Sequence, residues 1–172
     1  MTKVQRIVLA GVLIAVQIIL TRILGIDLGV NQRITFAFIA IVVNGALLGP
    51  VTAGISGGIA DILGFILKPT GAYFPGFTLT AVLTGVVYGL FFYKKEITIS
   101  RIVLSNLIVS IPLNLFLGSY WLHLLLGSPM NTLLMGRLPF NLILLVVKIV
   151  VLAIVLPRIV KEMRKVLKVR AA

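Results

Sequence analysis

Residues 34–67 read ITFAFIAIVVNGALLGPVTAGISGGIADILGFIL. The whole stretch passes with one charged side chain, Asp61. Gly49-Pro50 divides it, because glycine suits the end of one helix and proline the first turn of the next. Two apolar spans result, Ile34–Leu48 and Val51–Leu67. The first is short for a full crossing, and Asn44 is its most polar residue. The flanking sequence repeats the pattern. Val4–Leu24 is an apolar run broken by Gln17, Thr21 and Arg22, and Gly76–Tyr93 follows the turn-rich Lys68–Pro75. Ile97–Leu117 holds Asn106, Pro112 and Asn114, and Pro139–Val160 holds Asn141 and Lys148. Gly118–Leu138 is mixed in character and reads as a connection.

The composition agrees. Of 172 residues, 60% are hydrophobic and 12% charged, against about 25% charged in a soluble domain. The mean hydropathy is +1.19. A soluble enzyme and a disordered chain are both excluded at these values. The expected fold is all-α: a single domain over residues 1–172, made of six transmembrane helices. Lys3 and Arg6 precede the first run, and no small-x-small pattern ends it, so it reads as a span rather than a removable leader.

The formal charge is +12, from 16 Lys+Arg against 4 Asp+Glu. In a membrane chain the position of each cation matters more than the sum, and the nucleic-acid reading of a basic chain falls away. Six spans place both termini on one side. Lys3, Arg6, Lys94, Lys95, Arg101, Arg158, Lys161, Arg164, Lys165, Lys168 and Arg170 then share that side. Arg22, Arg33, Lys68 and Arg137 lie on the other, and Lys148 lies within a span. Short cytoplasmic loops carry the excess of Lys and Arg, so both termini are expected to be cytoplasmic. The basic C-terminal tail reads as a contact with anionic lipid headgroups.

The outer loops mix aromatics with cations: Arg22, Arg33, Tyr73, Phe74, Phe77, Tyr120, Trp121 and Arg137, with Asp27 the one acid. Arginine forks bind carboxylates through paired hydrogen bonds, and aromatic faces stack flat rings. Such a surface suits a planar, anionic small molecule, although interfacial aromatics also anchor ordinary membrane proteins. Asp61 and Lys148 are charges inside spans, where burial is costly and favours pairing. They are expected to form an internal ion pair if their spans adjoin; otherwise Lys148 attracts a ligand carboxylate. Ala10, Gly11 and Ala15 form a stripe of small residues that lets another helix approach, whether inside the bundle or from a partner. Gly54, Gly57, Gly58 and Gly64 make a second thin face, expected to pack internally.

Catalytic signals are weak. Gly49–Gly54 has the glycine spacing of a phosphate loop, but Ile55 stands where lysine is required. There is no cysteine and one histidine, so neither a metal centre nor a cofactor is expected.

The run Asn44-Gly-Ala-Leu-Leu-Gly-Pro50, followed by Gly57-Gly-Ile-Ala-Asp-Ile-Leu-Gly64, resembles the second and third spans of S components, the substrate-capture subunits of energy-coupling factor (ECF) vitamin transporters. Tyr73-Phe-Pro-Gly-Phe-Thr-Leu-Thr80, Gly85-Val-Val-Tyr-Gly-Leu-Phe-Phe92, Tyr120-Trp-Leu122, Gly127 and Arg137-x-x-x-Asn141 resemble the folate-specific branch. Phe140 and Lys148 depart from it: the branch often has Lys at the first position and tends to Gln or Glu at the second. The resemblance implies a high-affinity binder of folate or a reduced folate, multi-pass in the cytoplasmic membrane of a prokaryote. It also implies partnership with a transmembrane coupling subunit and two ATPases, which consume the ATP. The folate contacts implied by the resemblance are Phe74, Phe77, Thr78, Trp121, Arg137 and Asn141. Arg33, Arg22, Tyr73 and Asn114 are added on chemistry alone, the two arginines as cations for the glutamate dianion, Tyr73 and Asn114 as partners for the pterin. The resemblance also turns Ala10, Gly11 and Ala15 toward docking of the coupling subunit. An S component for another vitamin, or a membrane scaffold without a small ligand, are the alternatives.

Overall fold

The computed structural model describes residues 2–27, 33–69 and 71–166. Six helical rods follow in chain order. α1 runs over Lys3–Ile18 and continues through a wider π turn, Ile19–Ile23. α2 spans Ala37–Leu48, α3 Pro50–Leu67 and α4 Pro75–Phe92. α5 is the continuous rod Ile99–Leu126, and α6 is Met130–Val166. A two-residue antiparallel pair, β1 (Ile26–Asp27) and β2 (Arg33–Ile34), links α1 to α2. All but α2 are long and apolar enough to cross a membrane.

Local chemistry explains the ends of these rods. Thr2 and Gln5 close a reciprocal capping box on α1, satisfying two of its free N–H groups. Gly49, at φ 93°, ends α2, and Pro50 starts α3, as the sequence predicts. Pro112 falls inside α5. Proline cannot donate the regular helical bond and crowds the preceding turn. The chain answers with π geometry over Val109–Leu117 and stays helical. The mixed segment 118–138 is therefore not a connection. It is the end of α5 and the start of α6, parted at Gly127, whose left-handed φ of 67° stops the helix.

α2 is the hub. Eleven of its residues are buried, with Val42 fully enclosed. At 12 residues it is about 18 Å long, too short for a bilayer core of about 30 Å. A helix apolar on every side belongs inside a bundle. Around it pack Leu13, Tyr88, Phe92, Ile102, Val109, Leu152, Leu156 and Val160 from the other long helices.

Glycines bring α3 and α4 into backbone contact. A Cβ on Gly85 would collide with the Ala53 carbonyl, and one on Gly89 with Pro50. One on Gly57 would lie 2.6 Å from the Ala81 oxygen, and one on Gly45 2.7 Å from the Gly89 nitrogen. Gly54 and Gly58 face Val86 and Val82, so the thin face of the third span packs internally. These contacts also define two ends of the bundle. Arg6 donates from Nη2 to the Leu48 carbonyl at 2.8 Å, and Gly89 meets Pro50, so the starts of α1 and α3 join the ends of α2 and α4. At the opposite end Arg22 reaches the Lys68 carbonyl, and Gly76 lies against Trp121.

Gly85→Val is expected to cost about 3 kcal/mol by forcing α3 and α4 apart. Gly11→Ala should be neutral, because its added methyl meets no atom within 4 Å. Thermal unfolding in detergent compares the two.

Candidate functional site

A cavity of ≈ 220 Å³ opens within the bundle. All six helices line it. α1 gives Gln17, Thr21 and Arg22; α2 gives Ala37, Phe38 and Ile41; α3 gives Ala60 and Asp61. α4 gives Ala81, Thr84 and Tyr88, α5 gives Val109 and Asn114, and α6 gives Lys148. Polar and charged side chains make up more than half of this lining, and convergent polar groups are what orient a bound small molecule.

Asp61 organises one wall. Arg22 Nη2 lies 3.7 Å from Asp61 Oδ1, with the two side chains 10% and 24% exposed. Thr78 donates from Oγ1 to Asp61 Oδ2 at 2.7 Å, and Tyr73 Oη lies 3.0 Å from Thr78 Oγ1. The expected Asp61–Lys148 pair is thus replaced by an Arg22–Asp61 pair. The reason is position: the π turn at Ile19–Ile23 carries Arg22 into the bundle, where it is buried over Gly64. No hydrogen bond or ion pair joins Asp61 to Lys148 among the described residues, although both line the cavity.

An aromatic cluster stands beside this wall. Phe74 lies 6.2 Å from Phe77 and 5.7 Å from Trp121, centroid to centroid, and Tyr73 lies 5.2 Å from Phe65. Trp121 donates from Nε1 to Thr80 Oγ1 at 3.1 Å, and Thr84 Oγ1 donates to the Thr80 carbonyl at 2.8 Å. Thr80 thereby connects the cluster to the cavity wall at Thr84. Gly76 is what admits the rings, since a Cβ there would collide with Trp121.

The sequence-expected residues fall into three groups. Arg22 and Asn114 line the cavity. Tyr73, Phe74, Phe77, Thr78 and Trp121 form the adjoining cluster. Arg137 and Asn141 stand at the α5–α6 seam: Arg137 Nη1 donates to Ser119 Oγ at 3.1 Å, its guanidinium lies across Gly118, and Asn141 donates to the Arg137 carbonyl. Arg33 begins β2, and its side chain lies outside the described residues, as do Asn31 and Gln32. His123 engages the Ser128 carbonyl and belongs to the α5 terminus. The sequence reading assigns no role to Gln17, Thr21, Phe38, Thr84 or Tyr88. Its available signal was polar spacing: Gln17 and Thr21, like Thr80 and Thr84, are four apart on otherwise apolar helices and share a face.

A double-mutant cycle on Arg22→Met and Asp61→Asn is expected to show a coupling within about 0.5–3 kcal/mol in unfolding experiments. The cycle pairing Asp61→Asn with Lys148→Met should show a smaller one.

The family model described as "ECF transporter, substrate-specific component" matches residues 5–156. The folate transporter FolT of Clostridium novyi (strain NT) is 39% identical over 138 residues, 80% of each chain. FolT of Leuconostoc mesenteroides subsp. mesenteroides is 29% identical over 120 residues, 69% of this chain and 63% of that one. A crystal structure of FolT bound with folic acid superposes with a TM-score of 0.79 at 38% identity, covering 84% of this chain and 87% of that one. The six-helix fold matches as well as the sequence, and the chain belongs to the substrate-specific components of ECF transporters, which are transport proteins and not enzymes.

Proposed function

We propose that this chain is the folate-capturing subunit of an ECF-type importer. The observation that carries the reading is the likeness, at 38% identity over 84% of the chain, to FolT bound with folic acid. The cavity chemistry agrees with it. Folate joins a flat pterin and a benzoyl ring to a glutamate dianion. The cluster of Phe74, Phe77 and Trp121 suits the rings, and Arg22 and Lys148 supply cations in the cavity itself. Tyr73, Thr78, Asn114 and Asn141 are the polar contacts on this reading, and Arg137 and Arg33 are further cations for the dianion.

Orientation follows from charge. Lys3, Arg6, Lys94, Lys95, Arg101, Arg158, Lys161 and Lys165 gather at the end where α1 and α3 begin. Anionic lipid and the positive-inside rule place that end in the cytoplasm. The cavity and the aromatic cluster then face outside, in the cytoplasmic membrane of a prokaryote.

The stripe on α1 is the docking surface on this reading. Gly11 and Ala15 are exposed, Ala10 is half-buried, and Val8, Val12 and Val16 beside them are exposed too. An apolar face of small residues serves a helix of the coupling subunit, and two ATPases supply the energy this chain has no motif to supply.

Purified protein in detergent should bind one folate per chain at micromolar affinity or tighter. Trp121 is the chain's sole tryptophan and reports the event by fluorescence. Absence of binding across oxidised and reduced folates would remove the assignment. Gly11→Trp should abolish uptake by cells while the purified variant keeps its affinity; loss of affinity would instead show that the stripe packs internally.

A further inference from the structure

Lys148 is the one cavity cation without a counter-charge among the described residues. Along α6 it stands seven residues after Asn141 and ten before Arg158, about 10 Å and 15 Å along the axis. That places it in the hydrocarbon zone, where a charge is costly and marks a functional group. It makes no hydrogen bond or ion pair among the described residues, yet it lines the same cavity as Arg22 and Asp61. Arg22 is balanced by Asp61, and Arg137 is engaged with Ser119. The remaining polar groups lining the cavity are neutral, and the Tyr88 hydroxyl is given to Asn106 Oδ1 at 3.0 Å. The cavity therefore carries one compensated pair and one uncompensated ammonium with three donors.

We propose that Lys148 is a specificity-determining residue: its ammonium takes an oxygen of the ligand, and this contact makes the site select molecules that bring a negatively polarised oxygen to that depth. The proposal rests on the folate reading and deepens it. Folate has two sources of such an oxygen, the 4-oxo group of the pterin and the carboxylates of the glutamate. Both fit an ammonium, and neither needs Asp61 to release Arg22. A charged donor forms a hydrogen bond roughly twice as strong as a neutral one. A neutral side chain at this position leaves the ligand oxygen with a weaker partner.

The test measures folic acid and pteroic acid, which lacks the glutamate, against the wild type, Lys148→Gln and Lys148→Arg in detergent, by Trp121 fluorescence and thermal shift. Lys148→Gln is expected to weaken folic acid by about tenfold or more, while Lys148→Arg, which keeps the charge, retains most of the affinity. A tenfold loss that persists with pteroic acid and with 6-hydroxymethylpterin, which carries no carboxylate, puts the oxygen on the pterin. A loss confined to folic acid puts it on the glutamate. The unliganded melting temperature of Lys148→Gln should not fall, because an uncompensated charge has been removed, while its folate-induced rise should shrink. Equal folic acid affinity in wild type and Lys148→Gln overturns the proposal alone. A wild type that binds neither compound overturns the folate reading, and the assignment with it.

Discussion

The close approach of α3 to α4 governs the rest of the molecule. Water does not drive helices together inside a bilayer, so association depends on how near the backbones come. Gly85 against Ala53 and Gly57 against Ala81 remove the side chains that would hold the helices apart. The Asp61–Thr78 hydrogen bond, the place of Thr84 and Tyr88 in the cavity wall, and the seating of α2 against Gly89 all follow from that distance. Were the pair a side chain's width further apart, the carboxylate would lose its hydroxyl partner and the cavity one wall.

Much of this was legible in the residues. Six apolar runs, the Gly49-Pro50 turn and the thin face at Gly54, Gly57 and Gly58 are local signals, and the helices obey them. The Phe74–Thr80 segment was marked only by the family resemblance; the structure gives its residues a local task, since its glycine admits Trp121 and its threonine holds the indole. Two things were not. The segment 118–138 holds Gly, Pro, Asn and aromatics, which read as a connection, yet only Gly127 breaks the helix; Ser128 and Pro129 merely complete the turn before α6. The partner of Asp61 was the other. Rare charges within spans are naturally matched with each other, whereas Arg22 sat at a span's edge and looked like a loop cation. A π turn, which no residue pattern announces, brings it inside.

Arg137 and Asn141 illustrate a related difficulty. A motif of Arg-x-x-x-Asn puts both residues on one helical face, and that much is fixed by the period of the helix. Which neighbour the face meets depends on the α5–α6 crossing. Here it meets Ser119 and Gly118, so Arg137 fastens α6 to the last part of α5.

The helices also differ in reach. α3 and α4, 18 residues each, are about 27 Å long, while the 28-residue α5 is about 40 Å. One flank of the bundle is therefore shorter than the hydrocarbon layer and another is longer. Lipid beside α3 and α4 must thin, while α5 must lean or overhang, at fractions of a kcal/mol per Å of mismatch. The surrounding bilayer is thus bent unevenly around the protein even at rest. Its thickness becomes a variable that acts on how the bundle stands in the membrane, independently of what the cavity holds.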